Sequence, residues 1–182
     1  MADNKTAVIA YDPAWPARFS DLGRHLRLEL GDLAQRIDHI GSTAVPALAA
    51  KPVIDIQISV HSIEPVQRYR PAIERCGFVW REDNPDLSKR YFREAPGAPR
   101  THIHVRRTGS FAEQFALLFR DFLRQHRDEA ELYAADKRRH AHLLAGNRED
   151  YVRAKAPIVW AIMERASHWA QATGWEPGPS DA

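Results

Sequence analysis

Residues 39–60 read HIGSTAVPALAAKPVIDIQISV, and the two ends of this stretch ask for opposite backbone geometry. From Val53 to Val60 the residues Val53, Ile54, Ile56, Ile58 and Val60 are β-branched, which suits a pleated strand. Side chains alternate along a strand with period two, so Asp55, Gln57 and Ser59 share one face and Ile54, Ile56 and Ile58 the other. A carboxylate set between two isoleucines is costly unless a cation or a set of donors meets it. Upstream, residues 36–40 form a shorter alternating run that ends at Gly41, and Thr43, Pro46 and Pro52 make the intervening segment a loop. A Gly-Ser turn after a strand lets backbone N–H groups approach a phosphate and adds a hydroxyl donor. A carboxylate on the neighbouring strand can hold a divalent cation that bridges to that phosphate. Gly41, Ser42 and Asp55 therefore form the centre of the expected site.

Working outward toward residue 1, Phe19, Leu22, Leu26, Leu30 and Leu33 recur at spacings of three and four, which predicts a helix of about 16 residues after Pro13 and Pro16. In the other direction a helix is expected over 63–75, ended by Gly77, then a strand from Phe78. Residues 89–93 and 101–106 read as a hairpin joined at 96–99. Ser110 with Glu113 three residues on is a capping pattern. Beyond it helical spacing continues at Phe111, Phe115, Leu118, Phe119 and Phe122, then over about 127–144 with a stop at Gly146, and over about 149–172 with Pro157 inside. Residues 176–182, rich in Pro, Gly and Ser, are expected to fray. A strand-containing part (1–109) followed by a helical part (110–172) argues for α+β within the broad α/β class, in one domain over 1–175.

The totals agree with this. The 182 residues are 44% hydrophobic and 27% charged, enough for one core. A single cysteine, Cys76, excludes an internal disulfide, and its thiol is expected to be structural. Met1–Lys5 lack the pattern of a signal peptide, and no run of 18 apolar residues exists, so a cytoplasmic protein without membrane contact is expected. Net charge is +2, but residues 68–107 hold ten Lys/Arg against five acids, a surplus suited to an anion. The total is too small to argue for duplex nucleic acid, and no nucleic-acid partner is expected.

A second group carries chemistry. His102 and His104 are two residues apart on a strand and so share a face. Such a pair can serve as acid and base near neutral pH, or bind a transition metal. Trp80, Trp160 and Trp169 are expected in packing positions, and the run Lys137-Arg138-Arg139 on a solvated helix face.

The stretch 39–56 resembles the signature of the GrpB family. So do Lys89-Arg90-Tyr91-Phe92, Arg100-Thr101-His102-Ile103-His104-Val105, Phe119–Arg124, and the pair Tyr151 and Lys155, so that the resemblance covers about residues 8–168. That family is regarded as a branch of the nucleotidyltransferase superfamily, and in some bacteria the domain is fused to a dephospho-CoA kinase. The resemblance implies a nucleotidyltransferase-like mixed sheet flanked by helices, with a helical C-terminal segment. The resemblance gives no firm reaction, but with the polar groups expected at one site the chain is read as an enzyme acting on a nucleotide or another anionic small molecule. Asp55, His102 and His104 would be its catalytic residues, and Asp55 with His104 would hold a divalent metal (magnesium, manganese or zinc). Gly41, Ser42, Lys51, Gln57, Arg90, Arg120 and Lys155 would contact substrate. Arg90 and Phe92 lie on one face of their strand and Lys89, Tyr91 and Arg93 on the other, and the family match favours Arg90. The sequence departs from the superfamily pattern at Gln57, where a second metal-binding carboxylate usually stands in an Asp-x-Asp/Glu step. That leaves three readings: nucleotidyl transfer or nucleotide-dependent activation, nucleotide or CoA-type binding without catalysis, and histidine-based acid–base chemistry.

Overall fold

The computed structural model describes residues 7–146 and 148–182. The Met1–Lys5 segment, with residues 6 and 147, lies outside the described residues.

Helix α1 (Trp15–Leu30) opens with Pro16 in its first turn and buries Trp15, Phe19, Leu26 and Leu30; of the expected stripe, Leu22 is half-buried and Leu33 lies beyond the helix and is exposed. Five strands come after it: β1 (Arg36–Ile40), β2 (Ile54–Val60), β3 (Phe78–Trp80), β4 (Arg90–Glu94) and β5 (Thr101–Arg107). They form one sheet in the order β1-β2-β5-β4-β3, with β2 and β5 parallel and the other pairs antiparallel. The expected hairpin is β4–β5. Helix α2 spans only Arg70–Arg75, shorter than the expected 63–75. Pro71 fits a helix only in its first turn, so regular helix begins at Arg70, and 66–68 form a single 3₁₀ turn after Pro65.

The period-two pattern of β2 gives the sheet two unlike faces. Ile54, Ile56 and Ile58 pack with Ile103 and Val105 of β5 and Phe92 of β4 against α1 and α2, in one core that includes Trp15, Leu26 and Ile73. On the other face the register sets Asp55 beside His102, Gln57 beside His104 and Ser59 beside Arg106, with Asp38 next to Gln57 and Tyr91 next to His104.

Three helices follow, α3 (Phe111–Gln125), α4 (Arg127–Arg139) and α5 (Arg148–Thr173); α3 packs on β1 and β5, and α4 and α5 pack on α3. Ser110 caps α3 by accepting from the Glu113 backbone N–H at 3.4 Å. Helix α4 ends earlier than expected and the chain continues as a 3₁₀ segment, Ala141–Ala145; α5 runs on through Pro157. A second core, with Leu123, Tyr133, Ile162 and Ala166, joins these helices to Val45 and Leu48 of the 41–52 loop. Trp160, expected in a packing position, is 58% exposed on α5.

The closing residues are not frayed. Gly178–Ala182 run along the open edge of β1: Ser180 Oγ accepts from Ile37 N at 2.8 Å, Asp181 Oδ2 from His39 N at 2.9 Å, and Ala182 N donates to Ile37 O. Composition suggests disorder here, but an unpaired strand edge offers partners that composition does not reveal.

Candidate functional site: a carboxylate–histidine cluster facing three lysines

Gly41 leaves β1 with φ +72°, a conformation in the glycine-favoured region. A Cβ there would lie 2.7 Å from Asp55 Oδ2 and 3.1 Å from Asp55 Cβ, so the turn rests directly on the carboxylate. The turn is pinned from behind by His39, which is buried, stacks on Phe19 with centroids 4.8 Å apart, and puts Nε2 3.0 Å from Thr43 Oγ1. The Thr43 hydroxyl donates onward to Val53 O at 2.9 Å. Burial pushes His39 down to about 4, which leaves it neutral at pH 7.

Asp55 Oδ1 lies 3.1 Å from His102 Nδ1 and 3.4 Å from His104 Nε2. Burial alone would raise the Asp55 carboxyl, but the hydrogen bonds from His102 and His104 outweigh it and hold it below the usual carboxylate range. Burial drives His104 down to about 4 against the pull of Asp55, so a neutral imidazole faces an ionised carboxylate. The ring nitrogens turned away from Asp55, His102 Nε2 and His104 Nδ1, are buried without a hydrogen-bond partner among the described residues. Ligand atoms from Asp55, His102 and His104 lie within 4.8 Å of one another, a spacing that suits a metal ion. Ligands about 2.0–2.1 Å from a tetrahedral zinc sit roughly 3.3 Å apart, close to both Asp55–His distances. The three side chains therefore fit a cation.

A cavity of about 200 Å³ opens against this cluster. Gly41, Ser42, Asp55 and His102 line it together with Lys51, Lys137, Lys155, Tyr133, Tyr151 and Phe119. Lys51 and Lys155 lie 5.0 and 4.4 Å from the Tyr151 ring centroid. Lys137, expected on a solvated face, is 3% exposed, with Nζ 4.6 Å from the Tyr133 ring centroid and 2.5 Å from Ala49 O. Burial, with Lys155, Arg138 and Lys51 nearby, pulls Lys137 down to about 7. Burial pushes the Tyr151 hydroxyl up to about 12, so it remains a donor.

Of the residues singled out in sequence, Gly41, Ser42, Lys51, Asp55, His102 and Lys155 meet at this cavity, and His104 joins through Asp55. Gln57 does not line it: Gln57 is fully buried, accepts a hydrogen bond from Arg106 and places Nε2 3.4 Å from Glu113 O. Arg90 sits on the opposite face from Tyr91 and His104 and pairs with Glu64, so the face carrying Tyr91 and Arg93 is the one turned to the histidines. Arg120, 3% exposed, is taken up by ion pairs with Asp121 and Asp181 at 2.7 and 2.8 Å, with Asp38 at 3.6 Å. Several basic residues of 68–107 are paired in the same way, in Arg75–Glu29, Arg93–Glu94 and Arg100–Glu94. The cations at the cavity come instead from positions 51, 137 and 155, of which only Lys137 belongs to a local basic run, one expected on a solvated face.

These features can be set beside known proteins. The family described as GrpB protein matches residues 5–165. The UPF0157 protein PA4798 of Pseudomonas aeruginosa is 38% identical over 168 residues, which cover 90% of this chain and 69% of that protein. YqkA of Bacillus subtilis is 33% identical over 91% of this chain and 48% of its own length. A Mycobacterium tuberculosis protein named dephospho-CoA kinase is 33% identical over 93% and 48%. The chain thus spans about half of the two longer relatives. Among solved structures, the conserved protein GrpB from Enterococcus faecalis superposes with a TM-score of 0.79 at 30% identity, covering 90% of this chain and 99% of that one. The GLD-2/RNP-8 complex gives a TM-score of 0.57 at 11% identity over 94% of this chain and 64% of that one. Terminal uridylyl transferase 4 from Trypanosoma brucei gives 0.51 at 15% over 90% and 58%, and both likenesses extend to the fold alone. With a nucleotidyltransferase-like mixed sheet, a Gly-Ser turn seated on Asp55 and the histidine strand beside it, the chain belongs to the GrpB family.

Proposed function

We propose that this chain is an enzyme of the nucleotidyltransferase type that binds a nucleotide in the cavity between Asp55 and the three lysines. The observation that carries this reading is the convergence of Lys51, Lys137 and Lys155 on a cavity that Ser42, Asp55 and His102 also line. Phosphate oxygens need positive charge and donors on one side and a cation site on the other. The Gly41–Ser42 turn and the lysines would hold the outer phosphates. Asp55, with His102 and His104, would hold a metal ion, which when bound supplies Lewis-acid polarisation of the reacting phosphate. Transfer would form a bond from an acceptor oxygen to the α-phosphorus and break the bond from that phosphorus to the bridging oxygen. Pyrophosphate leaves with its charge met by the lysines, and the acceptor's proton passes to water. The phenol and phenyl rings of Tyr133 and Phe119 line the same cavity and would limit water there.

Calorimetric titration with ATP, CTP, GTP and UTP, each with and without a divalent cation, tests this. At least one nucleotide should bind metal-dependently, and Lys155→Ala should weaken it about tenfold, the effect of one charge-assisted contact. Absence of binding by all four nucleotides under every metal condition sinks the reading. Catalysis is checked separately, by release of pyrophosphate from the nucleotide that binds.

A further inference from the structure

The superfamily pattern uses carboxylates on two neighbouring strands to hold two metal ions. In this fold β2 supplies Asp55 and Gln57, and β5 supplies His102 and His104 directly beside them. Two features stand against a second ion. Gln57, where a second carboxylate would be, is fully buried and has its amide oxygen engaged by the Arg106 guanidinium. Arg106 projects from the same face as His102 and His104, two residues further along β5. Its charge lies in the field of Asp55, Glu113 and Asp86, and its Nε is buried with no hydrogen-bond partner among the described residues. A fixed guanidinium therefore stands beside the position that would otherwise attract a second metal. In two-metal sites the ions are about 3.5–4 Å apart, and a buried guanidinium at Gln57 repels a divalent cation at that range.

The first position has the opposite character. Two imidazole nitrogens, His102 Nδ1 and His104 Nε2, converge on one oxygen of Asp55. Two nitrogens and one carboxylate oxygen suit zinc, manganese, iron or cobalt far better than magnesium, which prefers oxygen ligands in octahedral geometry.

We propose that the chain holds one nitrogen-liganded transition-metal ion on Asp55, His102 and His104, and that Arg106, locked on Gln57, supplies the second positive charge of the site in place of a second metal. This deepens the nucleotide reading, but the metal count does not depend on it. A site with one mobile and one built-in cation needs only one metal to be loaded, and the built-in charge is always present.

The test is the number of metal ions per chain. The protein, stripped by chelation, is titrated with Co²⁺ and followed by d–d absorption, and with Zn²⁺ by calorimetry, both in a large excess of Mg²⁺. One equivalent is expected, retained against magnesium, with a cobalt spectrum that reports nitrogen ligands. Asp55→Asn and His104→Gln should each lose that equivalent. Gln57→Asp should still bind one, because Arg106 neutralises the new carboxylate, whereas the double variant Gln57→Asp/Arg106→Gln should bind two. Circular dichroism confirms that each variant is folded. Two equivalents in the wild type, none, or displacement by magnesium overturns the proposal without recourse to any variant. One tightly held metal with no nucleotide binding would leave this inference standing and remove the nucleotide reading instead.

Discussion

The two faces of the sheet are made by the same strands and obey different rules. On one, Ile54, Ile56, Ile58, Ile103, Val105 and Phe92 are buried against α1 and α2, and every group is interchangeable in kind with its neighbours. On the other, Asp55, Gln57, His102, His104 and Arg106 are tied by specific contacts, and none can be exchanged without stranding a partner. Burial on the apolar face stabilises the fold, and on the polar face part of that stability is given up to hold charges where water cannot relax them. One residue of register decides which rule applies to a side chain. The largest effect is therefore expected on the apolar face. Ile103→Ala, at a fully buried position, should cost about 2–5 kcal/mol of unfolding free energy. Nucleotide and metal affinity, measured well below the melting temperature, should stay nearly unchanged. A denaturant titration paired with calorimetry separates the two, and a large loss of affinity with little loss of stability would break the division of labour.

Gly41 sharpens the same comparison, because it belongs to the polar face by contact rather than by strand register. Gly41→Ala meets a positive φ and Asp55 Oδ2 at 2.7 Å together. The strain should cost about 1–3 kcal/mol, less than the core substitution. The carboxylate must move, so metal affinity should fall markedly, the reverse of the pattern for Ile103→Ala. Melting curves and a cobalt titration on the same preparation decide it; unchanged metal affinity would mean that the close approach of turn and carboxylate has no bearing on the site.

How much of this is legible in the sequence depends on range. Asp55 and the histidine pair can be read because alternation fixes which side chains share a face within a strand, and β2–β5 pairing merely joins two such readings. The Gly41–Ser42 turn is legible because glycine after a short strand has few other uses. Arg90 is misplaced because alternation offers two faces and does not say which is turned to the histidines; the β4–β5 register settles it for Tyr91 and Arg93. Arg120 looks like an anion ligand in sequence, but its partner Asp38 lies on β1 and its partner Asp181 is 61 residues further along the chain. The second of these belongs to a segment whose composition argues for disorder. Lys137 escapes a sequence reading for a related reason. It sits in a basic run that spacing alone puts on a surface, and only the packing of α4 against the 41–52 loop turns it inward onto Ala49 O. Gln57 is visible as a departure from the superfamily pattern, yet its meaning depends on Arg106, 49 residues away.

Lys137 gives the smallest effect and the most direct probe of how the polar face works. Burial and its neighbouring cations hold its pKa near 7, far below the ordinary lysine value of 10.5. The unfolded lysine binds the proton more strongly, so this group opposes folding in full below pH 7, and its opposition fades as pH rises from 7 to 10.5. Above pH 7 the free folded protein carries Lys137 largely neutral. An anion in the cavity reverses the balance of charge around the ammonium and restores the proton. Binding of a triphosphate at pH 8 should thus take up a proton, as much as one per site. Affinity should weaken with rising pH above 7, by at most about tenfold per pH unit, and flatten below 7, where Lys137 is already charged before the ligand arrives. Calorimetry in two buffers of different ionisation enthalpy reads the proton directly. Lys137→Met should bind more weakly and show no uptake beyond what the ligand itself contributes. An unchanged uptake in that variant would move the proton to another group and leave Lys137 as a packing residue of α4, on the structural side of the comparison after all.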